Sequence, residues 1–406
     1  MKKTKQYFKI ALKNVRRRKI RSWLTMIGIF ISISTIFLLI SISLGLNSTI
    51  KEQFNKLGAD KFFIEPRGQI AGPGTGGAVK ITNEDVKIIE KISGIKEVSY
   101  WVIGSAKIEN GNEVRFTNII GIPLDRKNLW AEAGFIEVEY GEILKKGDSG
   151  KIDVGYQYYH KNIFKKPLEI GDKITINGEN FKIKSNLKSI GNPVDDRIIY
   201  ISIENFRKIF PEHKDRIDQI IVQVDENQDV KKIIDSVYKK LDKHRNIEDE
   251  KRDYNISTPE EILETLSSIL NIITGFLIGI AGISLLVGGI GITNTMYTAV
   301  LERRKEIGIL KSVGAKNSDI LFIFSLESGI LGLIGGIIGI VIGIILSKTL
   351  EFVAVNLLSA SILKVVIPYY LIIGLLVFSF LIGVLSGFWP SWKATRISPV
   401  EALRYE

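Results

Sequence analysis

Four long uncharged apolar runs, 23–46, 265–301, 328–347 and 365–389, punctuate the chain, and a long polar stretch separates the first from the second. A helix crosses the roughly 30 Å hydrocarbon layer with about 20 apolar residues, because its backbone polar groups must be satisfied within the segment. Each run is long enough. The third can extend back through 320–326 at the cost of admitting Glu327. The pattern predicts a basic amphipathic segment at 1–21, transmembrane helix 1 at 22–46, a large domain at 47–258, and a stalk with transmembrane helix 2 at 259–301. A polar segment at 302–319, transmembrane helix 3 at 320–348, a loop at 349–364, transmembrane helix 4 at 365–390 and a tail at 391–406 complete it.

Inside the polar stretch the periodicity changes. Residues 61–65 read as a strand, and the glycine-rich 68–77 as a flexible loop. Thr82 and Asp85 have capping-box spacing, which opens a helix to about Ile92. Short alternating runs follow, with hairpin signals at Asn110-Gly111 and Asn177-Gly178. A second helix fits 230–241, so the domain is expected to be α+β with two subdomains. At its end Thr258, Pro259 and Glu261 stand as N-cap, N1 proline and capping-box acid, the start of a stalk helix that runs into the second span.

Charge then decides between partners. The net charge of +11 would suit nucleic acid if it covered a folded surface. Residues 1–21 hold ten Lys or Arg and no acid, whereas 51–264 hold 35 basic and 37 acidic residues. The excess sits beside the first span, the positive-inside pattern of a protein of the cell membrane, and no nucleic-acid partner is expected. Phe8, Ala11, Leu12 and Val15 share one helical face, with Lys9, Lys13, Arg16 and Arg17 largely elsewhere, which predicts an interfacial helix on the bilayer. The first run is too long for a signal peptide and has no small-residue cleavage site near Leu46, so it reads as an uncleaved anchor. Both termini and the Arg303 to Lys316 loop are then cytoplasmic, and the large domain extracytoplasmic.

Candidate chemistry is sparse. No cysteine is present, and His160, His213 and His244 make no metal-ligand spacing. The stretch from Gly308 to Lys316 lacks the P-loop spacing and its Lys-Ser/Thr pair, and Gly289 to Asn294 lacks the third glycine of a dinucleotide loop. No catalytic, cofactor or metal residue is therefore assigned. The span cores hold no ionisable side chain, which disfavours an ion-coupled transporter. Glycines recur at four-residue spacing in Gly275/Gly279, Gly332/Gly336, Gly339/Gly343 and Gly383/Gly387, as helix-packing sites within the chain or across a dimer seam.

The segment 288–315, which contains Glu302-Arg303-Arg304-Lys305-Glu306-Ile307-Gly308, resembles the signature of the MacB/FtsX family of ABC transporter permeases. Residues 21–28 and 390–406 carry further similarity. The resemblance implies a MacB-like core between helices 1 and 2 and a homodimer of permeases. It also implies a cytoplasmic ABC ATPase that holds the ATP and Mg, with no cofactor on this chain. An extracytoplasmic adaptor is a further partner of that kind of export system. Because 1–21 alone precedes the first span, the ATPase is expected on a separate subunit. The expected coupling residues are Glu302, Arg303, Glu306, Ile307, Gly308, Leu310, Lys311 and Gly314, on the main polar feature between spans. An FtsX-like signal transducer and a lipoprotein-extraction permease are the competing functions.

Overall fold

The computed structural model describes residues 19–68, 80–161, 163–357 and 363–404. The amphipathic face expected at Phe8, Ala11, Leu12 and Val15, and the glycine-rich loop after Gly68, lie outside them. The chain forms two compact units: a helical one, and a domain inserted after the first helix.

Helix α1 (Lys19–Leu57) leads to a mixed sheet. Strand β1 (Lys61–Pro66) is followed by α2 (Asn83–Glu90), β2 (Ile95–Asn110) and β3 (Glu113–Ile122). Four short strands come next: β4 (Val138–Gly141), β5 (Lys151–Val154), β6 (Lys173–Ile176) and β7 (Glu179–Leu187). Then come β8 (Ile199–Ser202), α3 (Ile203–Ile209), β9 (Gln219–Val224), α4 (Val230–Arg245) and β10 (Tyr254–Ser257). The order is β10-β1-β9-β2-β3-β8-β5-β7-β4, with β6 between β2 and β7. Strand β2 joins the halves: residues up to Trp101 pair with β9, and those from Val102 pair with β3.

Local chemistry explains the turns. Asn177 and Gly178 both have positive φ, 46° and 90°, which a two-residue hairpin between β6 and β7 requires. Thr82 N donates to Asp85 Oδ2 at 2.8 Å and so caps α2. Asp85 is buried and is also gripped by Arg245, whose Nη2 lies 2.8 Å from Oδ2 and whose Nε lies 3.1 Å from Oδ1. The same guanidinium reaches Asp253 at 2.7 Å and the Lys80 carbonyl at 2.9 Å, tying the end of α4 to the start of α2.

In the helical unit, α5 (Pro259–Glu302), α6 (Arg304–Ser312), α7 (Asn317–Asn356), α8 (Tyr369–Thr395) and α9 (Pro399–Arg404) follow. Helices α1, α5, α7 and α8 are long and apolar enough to cross a membrane. Thr258 N donates to Glu261 Oε2 at 2.9 Å, and Glu261 N to Thr258 Oγ1 at 3.2 Å, so the capping box opens α5. The helices differ from the hydropathy reading at their ends: α1 runs past 46 to Leu57, α7 past 348 to Asn356, and α8 ends at Thr395 and starts at Tyr369, after the apolar residues from Val365. Pro368 accounts for the late start of α8, because a residue before proline is pushed out of the helical region. Val365 N instead donates to Glu351 Oε1 at 3.0 Å, and Val366 N to the Ser41 carbonyl at 3.3 Å.

The glycine pairs have different partners. A Cβ on Gly332 would lie 2.3 Å from Ser379 O, and one on Gly383 would lie 2.5 Å from Ser328 O, so the backbones of α7 and α8 are in direct contact. Gly336 meets the Ser379 hydroxyl and Gly387 that of Ser328 on the same seam. Gly339 and Gly343 pack on Phe30, Ile33 and Phe37 of α1. Gly275 and Gly279 have no neighbouring atom within 4 Å of that position.

Candidate functional site

The link between α5 and α7 is built on a helix only nine residues long, α6. Arg303 marks the break before it, with φ −106° and ψ 18°. At the other end Gly314 has φ +100°; its N–H donates to the Lys311 carbonyl and that of Ala315 to the Leu310 carbonyl, both at 3.0 Å. These are the paired bonds of a Schellman cap, which needs a left-handed residue and so favours glycine. Lys316 N then donates to Asp319 Oδ2 at 3.0 Å, starting α7.

One face of α6 turns into the helical unit. Ile307 is buried there, packed with the cluster that includes Ile320, Phe324 and Ala394. Gly308 admits Ala402 of α9: a Cβ at Gly308 would lie 2.6 Å from the alanine methyl. The Lys311 ammonium donates to the carbonyls of Thr395 at 2.6 Å and Ile397 at 3.0 Å, capping the C-terminal end of α8. Arg303 donates through Nη1 to Glu327 Oε2 at 3.1 Å and through Nε to Glu306 Oε2 at 2.9 Å.

The opposite face is open. Ile309 is 53%, Leu310 45% and Val313 84% exposed, and Glu306 stands at its edge with Lys305 and Glu302. The eight residues singled out by sequence thus divide. Leu310 and the acid Glu306 lie on the open side with Glu302, while Arg303, Ile307, Gly308 and Lys311 hold the helix in place and Gly314 ends it. Ile307, one of the eight, has its place in the core, while Ile309, which is not among them, lies on the surface. Sequence reasoning met Glu327 only as an acid that interrupts the third span, and it passed over Ala402. The signal for Glu327 was its isolation, as the lone acid within an otherwise apolar helix stretch.

These helices and the inserted domain match two family models, one described as MacB-like periplasmic core domain over residues 22–239 and one as FtsX-like permease C-terminal over 278–399. The chain belongs to the MacB/FtsX family of ABC transporter permeases. It is 37% identical to the uncharacterized ABC transporter permease MJ1507 of Methanocaldococcus jannaschii, over 98% of this chain and 97% of that one. Identity to the permease YknZ of Bacillus subtilis is 30%, over 98% of each chain. The macrolide export ATP-binding/permease protein MacB of Bdellovibrio bacteriovorus is 30% identical, over 96% of this chain and 60% of its own length. Among solved structures, the periplasmic region of MacB from Actinobacillus actinomycetemcomitans aligns with a TM-score of 0.42 at 16% identity, covering 53% of this chain and 97% of that one. As in the family, a MacB-like core lies between the first and second membrane helices.

Proposed function

We propose that this permease converts ATP hydrolysis on a separate cytoplasmic ABC ATPase into motion of its extracytoplasmic domain, for export. The observation that carries this is the two-sidedness of α6. Its inner face is tied to α7 and α8 and packed on α9, and its outer face presents Ile309, Leu310 and Val313 beside Glu306. An exposed apolar patch with a charged edge is the form of a protein-docking surface. Helix α5 is continuous from Pro259 to Glu302, so a push on α6 enters a helix that begins at the inserted domain. ATP and Mg belong to the partner, and the permease works as a homodimer, with an adaptor outside for the cargo. The exposed face of α5 around Gly275 and Gly279 supports the dimer.

Single Asp substitutions at Leu310 and Val313 test the docking face. Each is expected to weaken ATPase binding about tenfold or more, the effect of losing a buried contact in an interface hot spot, and to abolish permease-stimulated hydrolysis in vesicles. Normal binding by both variants would exclude α6 as the docking element. Gly314→Trp is a poorer test, since its positive φ strains any side chain even where space is free.

The orientation is supported by rings and cations at the ends of α5 and α8. Lys393 lies 5.0 Å from the Tyr297 ring centroid and 4.6 Å from that of Trp389, and Arg396 lies 3.8 Å from that of Trp392. Aromatic and basic residues gather in this way at the membrane interface, with the basic excess on the cytoplasmic side. Because the chain has no cysteine, single cysteines at Ser149 and Ser236 are expected to react with an impermeant thiol reagent in intact cells, and one at Ser312 to stay unlabelled. Labelling of Ser312→Cys alone would reverse the topology.

A further inference from the structure

We infer that Arg303 and Glu327 form a latch that makes α7 move with α6, so that a load on the coupling helix enters the membrane through two helices and not through α5 alone. The inference rests on the reading of α6 as the ATPase docking element and adds a transmission route to it.

Burial is the first ground. The Glu327 side chain is 6% exposed and that of Arg303 16%, and the two meet at 3.1 Å. A carboxylate withdrawn from water is costly unless paired, and Arg303 supplies a charge partner at close range. The pair therefore resists separation far more than a surface ion pair does. Phe324, one turn before Glu327 on α7, lies beneath the guanidinium, with its ring centroid 5.4 Å away. Arg303 is thus held on α7 by a carboxylate and an aromatic face together.

Position is the second ground. Arg303 is the residue at which α5 ends and α6 begins, so α7 is attached at the joint where α6 could otherwise pivot against α5. The backbone passes through this joint with helical bonds on both sides, Arg303 N to the Ala299 carbonyl at 3.2 Å and Ile307 N to the Arg303 carbonyl at 3.0 Å. Glu306 takes the Nε of the same guanidinium at 2.9 Å, which ties the first turn of α6 to the latch. Ile307 packs with Ile320 and Phe324 of α7 in the apolar core, and Lys311 on the end of α8 and Gly308 against Ala402 lie farther along; Arg303 supplies the charged tie to α7 at the joint itself. The Arg303–Glu327 contact is buried, whereas Ile309, Leu310 and Val313 are exposed. Arg303 and Glu327 are positioning residues, linked to the edge of the docking face only through Glu306.

The test uses the full permease with its ATPase in vesicles and four variants: R303E, E327R, the double swap R303E/E327R, and V313D for comparison. A spin-label pair at Ser236→Cys and Ser312→Cys reports nucleotide-dependent motion between the inserted domain and α6. Each single reversal is expected to retain ATPase binding while stimulated hydrolysis and the distance change fall about tenfold. The double swap restores part of both, because opposite charges meet again between positions 303 and 327 while the bond to Glu306 is not recovered. A merely structural role would instead show as lost ATPase binding and a lowered thermal midpoint in the single reversals. Should a reversal block membrane insertion, R303K and E327Q replace it; a lysine ammonium cannot span the two carboxylates as the guanidinium fork does, and stimulation is expected to drop about fivefold. Wild-type stimulation in the single variants, or loss in the folded double swap, overturns the latch. If V313D abolishes binding while the latch variants behave as wild type, the latch falls and the coupling reading stands. If V313D also behaves as wild type, both fall.

Discussion

Gly383→Val is expected to lower the thermal midpoint of the detergent-solubilised permease by about 10 °C and to shift much of it into aggregate, whereas Gly279→Val leaves the midpoint unchanged. The two glycines read alike in the sequence, each one member of a four-residue pair on an apolar helix. Their surroundings differ. A Cβ at Gly383 would lie 2.5 Å from Ser328 O and 3.1 Å from both Gly329 Cα and Gly332 Cα, all of them main-chain atoms. No rotamer change can clear that space, so α7 and α8 must separate along the seam that also holds Gly336 on Ser379 and Gly387 on Ser328. Between helices in lipid, close packing is the main source of attraction, and a separation forfeits it along several turns. Overpacking of this kind costs about 3 kcal/mol. At Gly279 no atom lies within 4 Å of the Cβ position, so a side chain there enters open space and the expected effect is on association between copies. Size-exclusion profiles and tryptophan-monitored melting of both variants supply the check. Equal melting of Gly383→Val and wild type would mean that the α7–α8 contact carries no such load.

That contrast marks where sequence reasoning reached its limit. The four spans were legible because lipid imposes one simple demand, length without charge, and the runs meet it. Capping residues were legible too: Thr82 with Asp85, and Thr258 with Glu261, act over three residues, and their bonds form as the spacing implies. The same holds for Asn177-Gly178, where two positive φ values fix a hairpin. Partners across the fold were not legible. Nothing local tells Gly275 from Gly383, or shows that β2 spends half its length on β9 and half on β3. In α6 the ambiguity is sharper, since Ile307, Ile309, Leu310 and Val313 are all apolar and a short helix has two faces. Only the neighbouring α7 and α8 decide that Ile307 goes inward. For Glu327 the sequence raised a question, an acid at the edge of a span, whose answer lay in Arg303, 24 positions earlier.

Arg245→Ala is expected to destabilise the inserted domain by about 3–5 kcal/mol, the cost of stranding a buried carboxylate. Asp85 is 2% exposed, and besides Arg245 its carboxylate accepts from Thr82 N and Thr82 Oγ1, at 2.8 and 3.1 Å. Those two bonds cap α2 but bring no positive charge. Removing the guanidinium takes away two bonds to Asp85, one to Asp253 and one to the Lys80 carbonyl in a single step. Two helices and the strand-like entry to α2 lose their common anchor. Arg245→Lys should recover part of the loss, because an ammonium supplies the charge without the fork that reaches both carboxylates. Lys145→Ala is the contrasting variant: its ion pair with Glu142 at 2.8 Å has both side chains more than 60% exposed, and water already screens it. Urea unfolding of residues 58–257 can be followed by the fluorescence of Trp101 and Trp130, which stack at 4.2 Å and are the only tryptophans of that segment. With a urea slope of about 2 kcal/mol per molar, the Arg245→Ala midpoint should fall by roughly 2 M, the Arg245→Lys midpoint by less, and the Lys145→Ala midpoint not measurably. A similar small shift in all three would mean that Asp85 finds water or another donor in the folded domain, and that the Arg245 network is not what holds α4 to α2.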